Sequence, residues 1–484
     1  MLFTEPTFLF LFLPVVLALY FAPLSREHGA SGNVLLLVAS VVFYEKGGGA
    51  FTGLMLGSIA FNYVVAIAVD RARGTRWGRP LLAFAIAANL LVIAVFKYAD
   101  FLAANLNALL GALGMAPLAL PHVLLPIGIS FYTFHAISYV VDVWRRDATA
   151  QKSPVHAALY LLLFPQLIAG PIIRYRDLAG QLARRVVTLD DFAEGIRRFV
   201  LGLAKKLLVA NVVAVPADRI FAMPAEQWSA GHAWLGIACY TLQIYFDFSG
   251  YSDMAIGLGR MFGFRFPENF RHPYVSASIQ EFWRRWHISL SSWFRDYLYV
   301  PLGGSRVSSA RTYVNLVTVF FLCGLWHGAS WSFVAWGLFH GLFLVLERAG
   351  LGTALEKAGA VVRHAYVLLV VMTAWVFFRA DTLPQALSFL RAMAGLGAAK
   401  PTPFSAAWYL TPELGLALLA GVIGSMPLVP ALRAWRAKLD EGRAPRFLPG
   451  ALDLAATAAL LVLLLVSLTQ VAARTYNPFI YFRF

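Results

Sequence analysis

The sequence has little charge and almost no cysteine for its length. Only 13% of its 484 residues are Asp, Glu, Lys or Arg, and 60% are hydrophobic, whereas about a quarter of the residues of an ordinary soluble domain are charged. This composition excludes a soluble protein and predicts several membrane-spanning helices. The two cysteines, Cys239 and Cys323, lie in apolar surroundings without metal-ligand spacing. They are therefore expected to be small core residues rather than a disulfide or part of a metal site.

Acidic residues are scarcer than basic ones, which gives a formal net charge of +15. The basic residues form short clusters between apolar runs, as at 71–79, which is typical of cytoplasmic loops in membrane proteins and argues against a nucleic-acid partner. No basic residue precedes Arg26. We therefore expect no cleavable signal peptide and an N-terminus outside the cytoplasm. A basic cluster at 433–446 likewise predicts that the C-terminal segment 476–484 lies outside.

Apolar runs recur along the whole chain and predict an all-α, polytopic membrane protein with about 11–13 membrane helices, including re-entrant ones. The runs lie near 7–23, 33–44, 50–69, 80–98, 122–143, 154–173, 199–217, 232–248, 329–346, 361–378, 409–430 and 449–471. The run 154–173 joins two basic loops, so either it is re-entrant or one assigned span is wrong. Without a repeat or a soluble segment, residues 1–484 are expected to form one membrane domain.

One stretch, from Thr312 to Leu346, contains no Asp, Glu, Lys or Arg, yet it carries His327 near its middle. It exceeds the roughly 20 residues that one spanning helix needs, so we expect a strong tilt or a break near Gly324 and Gly328. A desolvated imidazole stays neutral and can accept a proton from a hydroxyl group. The alternative is a histidine that only hydrogen-bonds a neighbouring helix. We predict that the chemistry lies within 281–347.

Other residues near His327 offer competing explanations. Cys323 four residues before it and Ser330 three after it could form a nucleophilic pair with the histidine, but no third orienting group is evident and both residue types are common in membrane helices. His340 lies 13 residues further on, on a different face of a continuous helix, and is expected to be structural.

The segment 280–297 predicts an aromatic-faced basic helix at the membrane interface. At helical spacing, one stripe carries Trp283, Trp286, His287, Leu290, Trp293, Phe294 and Tyr297. His287 lies at the edge of this stripe and either points into a protein-enclosed tunnel or faces lipid headgroups.

Asp247 and Asp253 stand at the end of an apolar run. They could belong to a proton or cation path. We favour hydrogen bonds to helix ends, or ion pairs with arginines further along the chain.

As a set, these motifs resemble the membrane-bound O-acyltransferases, in particular the bacterial alginate and exopolysaccharide O-acetylation branch. The resemblance rests on segments 126–134, 164–172, 245–253, 282–299, 324–331 and 479–484. It implies a ring of tilted helices around a central tunnel. It also implies that His327 is the catalytic histidine and His287 the second histidine of the site.

The resemblance further implies an acyl thioester donor on the cytoplasmic side, here acetyl-coenzyme A, with no bound cofactor and no metal. The acetyl group would pass to a periplasmic hydrolase-like acetyltransferase that modifies a polysaccharide, with Tyr481 of the C-terminal segment as a relay.

We predict that Arg284 or Arg285 holds the coenzyme A phosphates and that Trp326 and Ser330 line the acyl site. The predicted protein is thus an inner-membrane O-acetyltransferase component with both termini in the periplasm. An ion-coupled transporter, or an acyltransferase for a lipid or protein acceptor, remains an alternative.

Overall fold

A computed structural model describes residues 1–22, 29–119, 122–397, 400, 402, 404–441 and 448–473. Every regular element in this part of the chain is a helix. Among the described residues, six helices are long and apolar enough to cross a membrane: Phe51–Ala72, Gly78–Ala112, Leu189–Phe221, Trp331–Lys357, Ala360–Arg379 and Gly450–Ala473. A bent pair, Pro412–Gly424 with Leu428–Arg436, would make a seventh span. The prediction of an all-α polytopic membrane protein is confirmed, and the larger number of membrane helices stays a prediction.

The chain packs as two compact units. Unit 1 comprises residues 1–196 and 255–267, and unit 2 comprises residues 197–254 and 268–484. The single domain expected from the sequence stays a prediction.

Unit 1 begins with a π-helical turn, Phe8–Phe12. Its helices are α1 (Leu13–Tyr20), α2 (Ala30–Gly48), α3 (Phe51–Ala72), α4 (Gly78–Ala112), α5 (Ile129–Arg145), α6 (Pro154–Leu162), α7 (Phe164–Leu167) and α8 (Tyr175–Ala183), followed by the start of α9 (Leu189–Ala204). The apolar run 154–173 breaks at Leu163 into α6 and α7, and with nine and four residues neither reaches across a bilayer. This run is therefore not one straight spanning helix, and its re-entrant course stays a prediction.

Unit 2 takes up the end of α9, a π-helical turn (Lys205–Ala210), α10 (Asn211–Phe221) and most of α11 (Ala230–Met261). It continues with α12 (Ile279–Arg285), α13 (Ile288–Phe294), a π-helical turn (Arg295–Tyr299), α14 (Ser309–His327), α15 (Trp331–Leu346), a π-helical turn (Glu347–Leu351), α16 (Gly352–Lys357), α17 (Ala360–Arg379), α18 (Leu383–Met393), α19 (Pro412–Gly424), α20 (Leu428–Glu441) and α21 (Leu448–Ala473). Short 3₁₀ turns lie at Ala225–Gln227, Pro273–Val275 and Ala406–Tyr409.

Helices α14 and α15 form a tight hairpin. The expected break occurs at Gly328, directly after α14 ends at His327, whereas Gly324 lies inside α14. The two helices touch through their backbones, because a Cβ added at Gly337 would collide with the carbonyl oxygen of Phe320 and with the backbone of Gly324. Small residues at such a crossing allow the close approach that stabilises helix pairs in membranes. This crossing holds His327 at the turn of the hairpin.

The prediction of a continuous aromatic helix over 280–297 is wrong, because the chain breaks between α12 and α13. His287 adopts the left-handed conformation, with φ 43° and ψ 53°. The backbone N–H of Ile288 donates to the carbonyl of Asn269, and that of Arg271 donates to the carbonyl of Arg285, each at 2.9 Å. These two bonds to a preceding segment satisfy backbone groups that the break removes from the helix.

The tryptophan rings of this broken segment are buried within the protein. Trp283, Trp286 and Trp293 are all in the core of unit 2, and His287 is fully buried. The alternative in which His287 faces lipid headgroups is therefore excluded by the structure.

Helices α9 and α11 also cross at glycines. A Cβ at Gly202 would lie 2.5 Å from the carbonyl oxygen of Gly250, and one at Gly250 would lie 2.8 Å from that of Gly202. The two backbones are therefore in direct contact within unit 2.

Ion pairs flank this crossing and involve both aspartates noted in the sequence. Lys206 Nζ lies 2.7 Å from Asp247 Oδ1, with both side chains almost completely buried. Asp253 pairs with Arg198 at 2.9 Å and with Lys205 at 2.7 Å. The expected pairing with arginines further along the chain is wrong. The cations precede the aspartates because α9 and the π-helical turn after it lie beside this part of α11.

Candidate active site

His327 lies in an aromatic pocket at the end of α14. Its side chain is buried, with 5% of the residue exposed. The imidazole centroid lies 4.9 Å from the ring of Trp326, 4.8 Å from that of Trp336 and 5.1 Å from that of Phe378. Gly328 follows in an extended conformation, and a Cβ there would collide with the ring of Phe333. The glycine is thus required for the ring packing beside the histidine.

His287 lies in the same unit, at the break between α12 and α13. Its ring packs edge-on against Phe248 at 4.7 Å, and its Nδ1 lies 3.2 Å from Asn269 Oδ1. The residue lies outside the six long apolar helices. Burial lowers the pKa of His287 to about 3, because a charged imidazole loses its hydration there. This histidine is therefore neutral near pH 7.

Trp326 connects the two histidines. Its ring centroid is 6.2 Å from that of His287 and 4.9 Å from that of His327. The structure thus brings together three of the site residues expected from the sequence.

A third histidine, His340, is brought near by the hairpin. Because α15 reverses the chain, Trp336 contacts both His327 and His340, with centroid distances of 4.8 and 5.1 Å. The placement of His340 on another face assumed a continuous helix, and the break at Gly328 removes that assumption. The indole N–H of Trp283 donates to His340 Nδ1 at 3.3 Å. This bond supports the predicted structural role of His340.

The remaining candidates are more dispersed. Arg285 bonds to Glu281 at 2.8 Å and donates to the carbonyl of Arg271 at 3.1 Å, whereas Arg284 is exposed. Ser330 is half-buried and precedes the first residue of α15 in an extended conformation. The proposed relay residue, Tyr481, lies outside the described residues. The roles assigned to these four residues stay predictions.

Two further features bear on ligand binding. A cavity of about 580 Å³ opens near the start of α12 and the ends of α15 and α16, and its lining includes Ser278, Glu347, Arg348 and Arg363. Neither His287 nor His327 is among its lining residues. Within the part of the chain that the structure describes, no group of three His, Cys, Asp or Glu residues could hold a metal ion.

Sequence reasoning missed Asn269. This residue lies in the irregular segment between α11 and α12, where no periodicity or motif spacing points to it. Only the fold shows that it contacts His287.

Fold and site together define a polytopic helical membrane protein that holds two buried histidines against one tryptophan. Residues 129–378 match the model of the membrane-bound O-acyltransferase family. The chain belongs to the membrane-bound O-acyltransferase family, within its alginate O-acetylation branch.

Its relatives agree with this assignment. The chain is 43% identical to a probable alginate O-acetylase of Azotobacter vinelandii and 43% identical to one of Pseudomonas putida, each over the full length of both chains. It is 36% identical to a peptidoglycan O-acetyltransferase of Helicobacter pylori, over 82% of this chain and 80% of the relative. The protein is therefore a membrane O-acyltransferase with a polysaccharide or other acceptor, and the transporter alternative is not supported.

Proposed function

We propose that the protein takes acetyl groups from acetyl-coenzyme A on the cytoplasmic side of the bacterial inner membrane and passes them outward for O-acetylation of an exopolysaccharide. The observation that carries this proposal is the placement of His287 and His327 on one tryptophan, Trp326, in a buried site. Such a site supplies imidazole bases away from bulk water. This matters because a thioester exposed to water would hydrolyse.

The transfer step needs a base and a stabilised oxyanion. A hydroxyl oxygen attacks the thioester carbonyl carbon while His327 removes the hydroxyl proton. The tetrahedral intermediate collapses, the C–S bond breaks, and the proton passes from His327 to the departing sulfur. The products are an acetyl ester and free coenzyme A. His287 would accept a proton or hydrogen bond from the reacting groups, and nearby N–H donors would stabilise the oxyanion.

Donor binding is proposed to use the basic surface beside this site. Arg284 is exposed and one residue from Arg285, so its guanidinium is available for coenzyme A phosphates. Arg285 already bonds to Glu281. Arg284 is therefore the stronger candidate of the two for contacting the donor.

The proposed acceptor is inferred from the names of the relatives. Three full-length or near full-length relatives carry names that specify O-acetylation of alginate or peptidoglycan. We propose an alginate-like exopolysaccharide or another cell-surface glycan as the final acceptor. A periplasmic hydrolase-like acetyltransferase would transfer the acetyl group to it, with Tyr481 as the intermediate carrier and both chain termini in the periplasm.

The central test is His327→Ala, purified in lipid nanodiscs and assayed with labelled acetyl-coenzyme A. Loss of general-base catalysis should lower acetyl transfer by about 10²–10⁴-fold. Cys323→Ala is the matched control on the same helix, and it should retain activity. Full activity of the His327 variant would remove this residue from the mechanism, and loss of activity in the Cys323 variant would favour a cysteine nucleophile.

The relay is tested separately with Tyr481→Phe, which removes one hydroxyl. We expect the Tyr481 variant to release coenzyme A no faster than the parent protein does in the absence of an acceptor. Polymer acetylation in cells should be lost. Polymer acetylation at the parental level would rule out the relay while leaving the role of His327 intact.

A further inference from the structure

Asn269 is held in one orientation by four hydrogen bonds. Its Oδ1 lies 3.3 Å from the backbone nitrogen of Ser289, 2.9 Å from Ser289 Oγ and 3.2 Å from His287 Nδ1. Its Nδ2 donates to Ser252 Oγ at 2.9 Å. All four residues are at most 5% exposed. The amide is therefore a buried connection between α11, α13 and the ring of His287.

These contacts decide which way the amide points. A backbone N–H can only donate, so the side-chain atom facing the Ser289 nitrogen must be the acceptor oxygen of Asn269. The reversed amide would place its NH₂ group against that N–H, leaving two buried donors opposed. Because the oxygen faces His287 as well, the hydrogen of that contact must be on His287 Nδ1.

The tautomer of His287 follows from this orientation. A ring that is neutral near pH 7 carries one hydrogen, and that hydrogen is on Nδ1. The basic lone pair is then on Nε2. Hydrogen bonds to one ring nitrogen fix the tautomer of functional histidines in the same way at metal and catalytic sites.

The ion pairs of Arg198, called the charged clamp below, support this arrangement. Arg198 donates to Asp253, from Nε at 3.1 Å and from a terminal nitrogen at 2.9 Å, and also binds Glu268. These two carboxylates adjoin Ser252 and Asn269 in the chain. One guanidinium thus joins the two backbone segments whose side chains meet in the Ser252–Asn269 hydrogen bond. The clamp limits how far Asn269 can rotate or withdraw from the histidine.

We infer that Asn269 is a positioning residue that holds His287 as the Nδ1-protonated tautomer, which leaves Nε2 as the nitrogen able to accept a proton or hydrogen bond from a reacting group. The importance of this tautomer for acetyl transfer rests on the proposed function, whereas the tautomer itself does not.

The tautomer can be observed directly by ¹⁵N solid-state NMR of histidine-labelled protein in lipid. The His287 signals are assigned by their loss in His287→Gln. We expect a proton bound to Nδ1 and an unprotonated Nε2. A His287 ring protonated at Nε2 would overturn the inference.

Variants at Asn269 test whether this residue sets the tautomer of His287. Asn269→Asp keeps an acceptor oxygen beside Nδ1 and should keep the same site of protonation. Asn269→Leu removes the acceptor, so the signals should show a mixture of both tautomers. Acetyl transfer should fall by about 10–100-fold, as is typical when the residue that orients a functional histidine is lost. An unchanged spectrum together with full activity in Asn269→Leu would refute the positioning role. Should the leucine variant fail to fold, the parent and aspartate spectra still decide the tautomer.

The outcome for the proposed function is separate. If the parent spectrum shows Nδ1 protonation but His287→Gln transfers acetyl groups normally, the tautomer inference stands and the catalytic role of His287 fails.

Discussion

The carboxylate of Glu347 accepts hydrogen bonds from the backbone N–H groups of Ile279, at 2.6 Å, and Gln280, at 3.0 Å. Glu347 follows the last residue of α15, and the two amides open α12. Ser278 Oγ accepts the next amide, that of Glu281. The first amides of α12 are thus satisfied, and the helix that leads to His287 is tied to the hairpin that carries His327.

Glu347→Gln should weaken this connection. The amide retains an acceptor oxygen but loses the negative charge that suits a helix N-terminus, so we expect a loss of about 1–2 kcal/mol in the free energy of unfolding. Hydrogen exchange at Ile279 and Gln280 should become faster. The control is Glu356→Gln, an exposed glutamate on α16. Equal exchange rates in parent and Glu347 variant would show that the cap does not hold α12.

The contrast between His327 and His287 shows what the sequence could predict. The break beside His327 follows from local features, namely a long uncharged run and a glycine at 328, so it could be predicted. The contact between His287 and Asn269 spans 18 residues and depends on a left-handed residue that interrupts a regular aromatic stripe. Helical periodicity carries no information about such a break.

The ion-pair partners of Asp247 and Asp253 likewise could not be predicted from the sequence. The sequence showed that Asp247 and Asp253 needed partners, but the choice of partner depends on which helix crosses α11. That crossing is set by Gly202 and Gly250, far apart in the chain. A pairing with basic residues further along the chain was equally compatible with the sequence, and the packing decided against it.

The hairpin crossing should be intolerant of a single methyl group. Gly337→Ala places a Cβ against the backbone of α14, which cannot move aside as a flexible side chain could. We expect a destabilisation of about 1–3 kcal/mol and a marked loss of acetyl transfer, because Trp336 and His327 would be pushed apart. Gly57→Ala on α3 is the control, since a Cβ there meets no atom within 4 Å. It should be neutral or slightly stabilising in thermal unfolding. Similar unfolding temperatures for the two variants would contradict the close packing at Gly337.

The buried pair of Lys206 and Asp247 should behave unlike an exposed one. Lys206→Met leaves a buried carboxylate without its lysine and should cost about 3–5 kcal/mol. Combining it with Asp247→Leu should recover most of that loss. For the exposed pair of Arg174 and Asp177, 2.7 Å apart, removal of the arginine charge should cost no more than about 1 kcal/mol. Unfolding free energies of the two single variants and the double variant give the coupling between Lys206 and Asp247. A double variant whose loss of unfolding free energy equals the sum of the two single losses would show that the charges do not depend on each other.

His287 should make the protein less stable in acid. Its pKa is about 3 in the folded protein, against about 6.5 in an unfolded chain. As the pH falls below about 6.5, the unfolded state binds a proton that the folded state does not, so stability declines. The decline amounts to about 2 kcal/mol at pH 5, whereas nothing is lost above the unfolded pKa.

His287→Gln removes this proton linkage whatever its effect on stability at neutral pH. The parent should therefore lose more in unfolding temperature between pH 7.5 and pH 5 than the variant does. Other buried histidines contribute equally to both proteins and cancel in the difference. Identical pH dependence in the two would mean that the folded protein can protonate His287, and hence that its ring is far better solvated than its burial indicates.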